Sequence, residues 1–469
     1  MTLAQDTPGA AGTAAGACPV TGNRAAGGCP VPHGPKGLPV IGVAAPYFKD
    51  PAAFTLRLQQ EYGPMVSVNL PKPYVLVTEP DVVEHVTRTN PDNYRRGELY
   101  KGFLGFMGKG MLTLNDAEWR PHRSIVAPAF TVRRVNENAE EAVPATQALL
   151  DRWAEVARTG AVIDIAEDAM NVSTRTMGKA LLGRDLSTPE LEYANAAAIA
   201  SKVMYTTTIY GLNELLPSFL PTRYNRDKKM AHRIIDGVID GVMSSRRDSG
   251  NLGTDAAGKL LAAPGLTDQD IRDDLRTLLL AGTDTTGQAL AWTLYEIARH
   301  PWVREEVEEE VDRVLNGHAP TTDQRAELVV TRSVIEEALR LHPPVWQFPR
   351  DLEADEQVAG WDIAKDTTLV LSTYGTHRNT EHWRDPHTFD PRRFRGEEAK
   401  GRHIGAYFPF GGGRRQCIGK NLAMATLVTA VAMISQRFRI TLTTSSVPTA
   451  AFITMYPAEG VRATLRERS

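Results

Sequence analysis

The chain has 469 residues, 42% of them hydrophobic and 23% charged, with 53 Lys+Arg against 56 Asp+Glu and a formal charge of −3. That balance supplies enough apolar surface for a large core and argues against a nucleic-acid binder, which would carry a basic excess. Three cysteines, Cys18, Cys29 and Cys417, cannot build a disulfide framework, so a reducing, cytoplasmic setting is expected.

Residues 1–35 are mostly Ala, Gly, Pro and Thr. Such a stretch cannot offset the entropy of ordering, which predicts a flexible tail with no basic start and apolar run of a signal peptide. Its two Cys-Pro-Val triplets, at Cys18 and Cys29, suit either a haem- or metal-sensing device or no role at all. No run of ~20 apolar residues occurs anywhere, so neither a spanning helix nor a membrane anchor is expected.

Short β-type runs follow, MVSVNL (65–70) and YVLVTE (74–79), each bounded by Pro or Gly. Most of the remainder reads as helix. In 266–300, Thr267 and Asp270 make a capping box ahead of an apolar stripe through Leu275, Leu278, Leu279, Leu290, Leu294 and Ile297. In 300–317, Pro301 starts a helix, Val303, Val307, Val311 and Val314 form its apolar face, Gly317 stops it, and its five Glu and two Arg read as a solvated face. Beyond 365 the pattern turns to loops and short strands, then a helix from Ile418. With no repeat and no linker, the reading is one mainly α domain with a smaller β portion over 36–469.

The stretch FPFGGGRRQCIG (408–419) sets Cys417 behind three glycines and two arginines. Glycines there let the backbone approach a flat ligand closely. A thiol at a helix N-terminus beside Arg414 and Arg415 is expected to have its pKa lowered, which favours the thiolate that metals bind. A phosphate loop fails, because Arg414 stands where its first glycine belongs and Asn421 where its hydroxyl belongs. A zinc site finds only His403 nearby, and a plain structural cysteine would not call for this run of glycines.

Inside the long helix, Gly282-Thr-Asp-Thr-Thr-Gly287 places six poor helix formers in a row. Such a conflict marks function, with Thr and Asp competing for backbone carbonyls and bending the helix.

FPFGGGRRQCIG resembles the haem-binding signature of the cytochrome P-450 superfamily at Phe410, Gly413, Arg415, Cys417 and Gly419. The resemblance implies the P-450 fold, a helix-rich triangular domain around buried haem b (iron protoporphyrin IX), with Cys417 as the iron's thiolate ligand. This family is the known case of a cysteine thiolate that pushes electron density toward O–O cleavage, and that chemistry comes with the resemblance. AGTDTT is similar to the family's oxygen-binding segment: Gly282 gives oxygen room, and Asp284 and Thr285 are the acid–alcohol pair that relays protons. EALR (337–340) with Arg393 implies a charge network, Glu337–Arg340–Arg393, that locks the cysteine loop to the core; Arg392 stands where the family usually has an acid. Trp119, Arg123, Arg350 and Arg415 are implied as partners of the haem propionates, with Arg120 and His122 facing outward.

Within the superfamily the chain most resembles the branch with W-x-x-x-R and AGTDTT, which includes bacterial fatty-acid hydroxylases. That resemblance implies a monooxygenase that inserts one atom of O2 into a hydrophobic small molecule, by hydroxylation or epoxidation of a fatty acid, terpenoid, steroid or polyketide. The sequence leaves no room for a fused reductase after the haem domain, so a ferredoxin- or flavodoxin-type donor with its own reductase is expected. Arg414, Arg415, Lys420 and Arg120 would form the basic patch that receives it. Pocket-lining residues are implied at Leu99, Phe103, Leu104 and Phe106, in 201–211, at Leu278 and Ala281, in 345–348 and at Phe452 and Ile453, with Tyr210 or Arg96 available to anchor a carboxylate.

Overall fold

The computed structural model of the protein describes residues 32–38, 42–70, 72–187, 192–210 and 220–468. Cys18 and Cys29 lie outside that set. Of the tail, the last residues are bonded to the first strand: Ser67 donates from its backbone N–H to the His33 carbonyl at 3.0 Å and from its hydroxyl to Pro32 at 2.6 Å.

The apolar runs near the start form β1 (Met65–Val68) and β2 (Tyr74–Val77), an antiparallel pair. With β3 (Tyr94–Arg95), β4 (Phe348–Leu352) and β5 (Thr368–Leu371) they build a five-stranded sheet in the order β1-β2-β5-β4-β3. Only β2 and β5 run parallel, Val75 opposite Leu369, so the sheet joins residues 65–95 to residues 348–371. A hairpin of β6 (Thr449–Ala451) and β7 (Met455–Pro457) stands apart.

The fold is otherwise mainly helical. The helices that position the site are α1 (Asp116–Val126), α2 (Ile165–Leu182), α3 (Tyr193–Tyr210), α4 (Asp268–Arg299), α5 (Pro301–Leu315), α6 (Val329–Leu341) and α7 (Lys420–Arg437). Among the described residues, no helix is long and apolar enough to cross a membrane.

Helix α4 opens on the expected Thr267–Asp270 capping box and runs 32 residues without a break. The threonines do not open it, because Thr283 and Thr285 return their hydroxyls to the carbonyls of Leu279 and Ala281 at 2.8 and 2.6 Å. Its two ends serve two cores. Ile271, Leu275, Leu278 and Leu279 pack with α2 and α3, whereas Leu290, Trp292, Leu294 and Ile297 pack with α5, α6 and α7. Ala281 and Gly282, between those clusters, face a cavity instead. Helix α2 crosses close by: a Cβ on Gly287 would come within 3.0 Å of Met170, and Ser173 donates to the Thr283 carbonyl at 2.7 Å.

In α5 the four valines are buried as expected, but the acidic face is only partly solvated. Glu310 is buried and accepts the backbone N–H groups of Val330 and Thr331 at 2.7 and 2.8 Å, capping α6, whose own N-cap residue Leu328 has no side chain to do so. Glu308 is likewise buried and holds Arg439 at 2.6 Å. The helix ends on Asn316, left-handed at φ 48°, one residue before Gly317.

Candidate active site

Cys417 stands on a loop that closes on itself. Its N–H donates to the Phe410 carbonyl at 2.9 Å, and the Gly411 N–H donates to Phe408 at 2.9 Å. Gly413 is left-handed at φ 61° and packs so tightly that a Cβ would lie 1.7 Å from the Thr87 carbonyl oxygen. Helix α7 begins at Lys420, two residues later than the sequence pattern suggests.

The thiol opens onto a cavity of about 310 Å³, which accounts for its being solvent-accessible. The expected lowering of its pKa is corrected. Burial pushes the thiol up, against the N–H of Gly419, the charge of Arg123 and the N–H and charge of Lys420. Arg414 and Arg415 do not supply the field, because both turn to Asp116, at 2.5 and 2.7 Å. His403, the nearby zinc-type ligand, is turned to Asp81 and Glu84 at 3.0 and 3.3 Å.

The middle of α4 reaches the same cavity as the cysteine loop. Ala281, Gly282, Thr285 and Thr286 line it, with Leu278 one turn back. Asp284 does not. Its Oδ2 accepts from the Thr454 hydroxyl at 2.6 Å and its Oδ1 lies 3.4 Å from Gln288 Nε2. Burial raises the Asp284 pKa, while the bonds from Thr454 and Gln288 lower it.

The cavity's otherwise largely apolar lining also holds a group of arginines. Two arginines approach the Trp119 ring, Arg415 at 4.1 Å and Arg123 at 5.8 Å from its centre. Arg123 donates to the Gln416 carbonyl at 3.0 Å and Arg350 to the Tyr100 hydroxyl at 3.1 Å. All of these line the cavity, as do Phe410 and Gly419; Gly413 does not, and serves the packing of the loop. Arg96, one of two residues available to anchor a carboxylate, joins the cluster, and with it Tyr100, which no sequence pattern singles out; the side chain of the other, Tyr210, lies outside the described set. Burial pushes the Tyr100 phenol up, but Arg350 and Arg96 prevail and hold it at about 8.

Arg96, Arg123, Arg350 and Arg415 thus line one cavity, and of the four only Arg415 has a carboxylate partner, Asp116, among the described residues. Arg96 Nε and Arg415 Nη1 are buried with no hydrogen-bond partner, and burial with the like charge of Arg96 lowers the Arg415 pKa to about 9. Such a cluster lacks anions.

The Glu337–Arg340–Arg393 network is present and fully buried. Arg340 holds Glu337 through two bonds of 2.7 and 2.8 Å, and Arg393 Nε lies 3.5 Å from the same carboxylate. Arg392 pairs with Asp390 at 2.7 Å. His122 is a correction: it turns inward, with Nδ1 2.6 Å from Asp274, whose other oxygen accepts the Met111 N–H at 2.9 Å. Arg120 is exposed as expected. The basic patch is weaker than its sequence suggests, because Asp92 and Asp116 neutralise Arg414 and Arg415.

Of the residues expected to line the pocket, Leu278, Ala281, Val345 and Phe348 do so. Leu99, Phe103, Leu104, Phe106, Phe452 and Ile453 do not; Phe106 stacks on His232 at 4.1 Å and Phe452 lies beside Tyr205 at 4.6 Å. The expected 201–211 stretch forms the end of α3, and residue 211 lies outside the described set.

The family model described as Cytochrome P450 matches residues 32–458. The chain belongs to the cytochrome P450 family. It is therefore an oxidoreductase of the monooxygenase type. Among curated relatives, it is 31% identical to cyclooctatin synthase of Streptomyces melanosporofaciens, over 87% of this chain and 89% of that one. It is 29% identical to cyclooctat-9-en-7-ol 5-monooxygenase of the same organism, over 87% and 88%, and 29% identical to cytochrome P450 4A10 of Rattus norvegicus, over 80% and 78%. Among solved structures, the haem domain of cytochrome P450DA superposes with a TM-score of 0.83 at 25% identity, covering 94% of this chain and 98% of that one.

The family implies a haem-thiolate cofactor, and the residues present fit one. A glycine-framed thiol faces a cavity whose wall gathers arginines without enough anions to match them, as two propionates would supply.

Proposed function

We propose that Cys417 is the thiolate ligand of haem b and that this P450 inserts one atom of O2 into a hydrophobic small molecule. The observation that carries the reading is the shared cavity, lined by Cys417, by Ala281, Gly282 and Thr285, and by the arginine cluster. The haem, when bound, supplies the activation of dioxygen.

The chain's own residues divide the remaining work. Trp119, Arg96, Arg123, Arg350 and Arg415, with the Tyr100 hydroxyl, would hold the two propionates through charge-assisted hydrogen bonds. Leu278, Ala281, Val345 and Phe348 offer apolar surface that binds substrate by excluding water. Gly282 keeps space beside Thr285. Thr285 Oγ1 passes protons into the cavity and Asp284 replenishes it, the role of an acid held at a raised pKa. Two electrons and two protons accompany each oxygen atom inserted, the other atom leaving as water. A separate ferredoxin- or flavodoxin-type protein with its reductase is the proposed donor.

For the substrate, a terpenoid comes first among the apolar classes, because two relatives bear the names cyclooctatin synthase and cyclooctat-9-en-7-ol 5-monooxygenase. Fatty acids, steroids and polyketides are the comparison set. Turnover under 18O2 with the ligand that gives the largest spectral shift is the test. One labelled oxygen per product supports a monooxygenase, and label-free product rules that reading out.

A further inference from the structure

The buried charge network does not touch the cysteine loop directly. Apart from Glu337, Arg340 spends its donors on the carbonyls of His377, Pro386 and Thr388, at 2.8, 2.7 and 3.1 Å, all upstream of the loop. The link that completes the path is one imidazole.

His377 is fully buried and bonded at both ring nitrogens. Nε2 receives the backbone N–H of Phe408 at 3.0 Å, and Nδ1 lies 3.2 Å from the Arg340 carbonyl. A backbone N–H can only donate and a carbonyl can only accept. The ring is therefore neutral, with its proton on Nδ1 and its lone pair on Nε2. Its faces are held as well: the ring stacks on Tyr407 at 5.1 Å and meets Phe408 edge-on at 5.5 Å. From Phe408 the path continues through the loop's own bonds, Gly411 N–H to the Phe408 carbonyl and Cys417 N–H to the Phe410 carbonyl.

We infer that His377 is a positioning residue for the cysteine loop: its Nε2 lone pair fixes the Phe408 N–H, and thereby the orientation of Cys417, on the Glu337–Arg340 core. The inference rests on the reading of Cys417 as the iron's ligand. Burial and the charge of Arg340 both hold the His377 pKa well below its ordinary value, which keeps the lone pair free. Packing alone would tolerate any side chain of the right size, whereas this role needs an acceptor at the ε position.

Two variants separate the possibilities. His377→Gln keeps an oxygen acceptor near the ε position; His377→Asn keeps a donor near the δ position and loses the acceptor. In the haem-loaded proteins, the share of the ferrous–CO complex lacking the red-shifted thiolate band should rise roughly fivefold or more in His377→Asn, the effect of orphaning one buried N–H. His377→Gln should stay near wild type, and the haem reduction potential should move in the Asn variant only. The tautomer is read on the unmutated protein, where side-chain 15N resonances should show a protonated Nδ1 and an unprotonated Nε2. Equal losses in both variants, an Asn variant spectrally identical to wild type, or a proton on Nε2 would each overturn the inference. Failure of the ligand reading looks different: wild type itself would lack the thiolate band.

Discussion

The carboxylate of Asp284 is bonded to Thr454, at 2.6 Å, and not to Thr285, its neighbour in sequence. Successive residues on a helix point about 100° apart, so one faces the cavity and the other the β6–β7 hairpin. Thr285 is engaged too, donating to the Ala281 carbonyl at 2.6 Å. Proton transfer between them requires the carboxyl to leave Thr454.

If Thr285 passes protons into the cavity, Thr285→Ala should still bind substrate and accept electrons. Product formed per reductant should fall roughly tenfold or more, the scale of one lost proton-transfer group, while hydrogen peroxide rises. Parallel assays of reductant, peroxide and product check this, and wild-type coupling would reduce Thr285 to a helix residue. Adding peroxide directly should restore part of the product.

The Thr454 hydroxyl lowers the pKa of Asp284, opposing the rise that burial causes. Thr454→Val removes that bond and keeps the shape, so the Asp284 pKa rises. A proton donor fails as pH climbs through its pKa, and the fall in coupling with rising pH should therefore move to higher pH in the variant. Coupling measured against pH in both proteins tests this; superimposable profiles would place the proton donor elsewhere.

Arg340→Ala leaves Glu337 buried with the Asp390 N–H at 2.9 Å and only the 3.5 Å approach of Arg393 as a counter-charge. Losing one partner of a buried pair costs about 3–5 kcal/mol, enough to prevent stable haem loading. Lysine should not rescue it, because one ammonium cannot reach Glu337 and three carbonyls together. Normal yields of haem-loaded Arg340→Ala protein would contradict the account.

His377 also gives a pH signature. Its folded pKa lies well below 6.5, depressed by burial and then by Arg340, with Arg378 and Arg402 adding to the effect. Its contribution to stability is present above the unfolded pKa and is lost as pH falls below it, because the unfolded chain binds a proton the folded chain refuses. Denaturant unfolding of wild type and His377→Gln should show wild type losing its advantage below pH 6.5, by up to about 1.4 kcal/mol per pH unit. A pH-independent difference would mean that folding leaves the imidazole pKa unshifted, and an advantage that grows as pH falls would mean that the ring is charged in the fold.

What the sequence made legible was mostly local. The Thr267–Asp270 box, the valine face of α5 and the leucine stripe of α4 all follow from spacing within one element, and the structure keeps them. The order of Glu337, Arg340 and Arg393 was readable only through a family resemblance, since a Glu–Arg pair by itself suits any helix surface. What stayed hidden depends on partners far along the chain. His122 meets Asp274, Asp284 meets Thr454, and Glu310 caps α6. Arg96 and Tyr100 carry no spacing signal at all; only the fold brings them beside Arg350 and Arg415.

The central claim is that Cys417 is a thiolate ligand to haem iron, and the ferrous–CO spectrum tests it most directly. Wild type should give the strongly red-shifted Soret band that thiolate ligation produces, and Cys417→His should keep haem but lose both that band and monooxygenase activity. A Cys417→His protein that retains the red-shifted band and the activity would contradict the account.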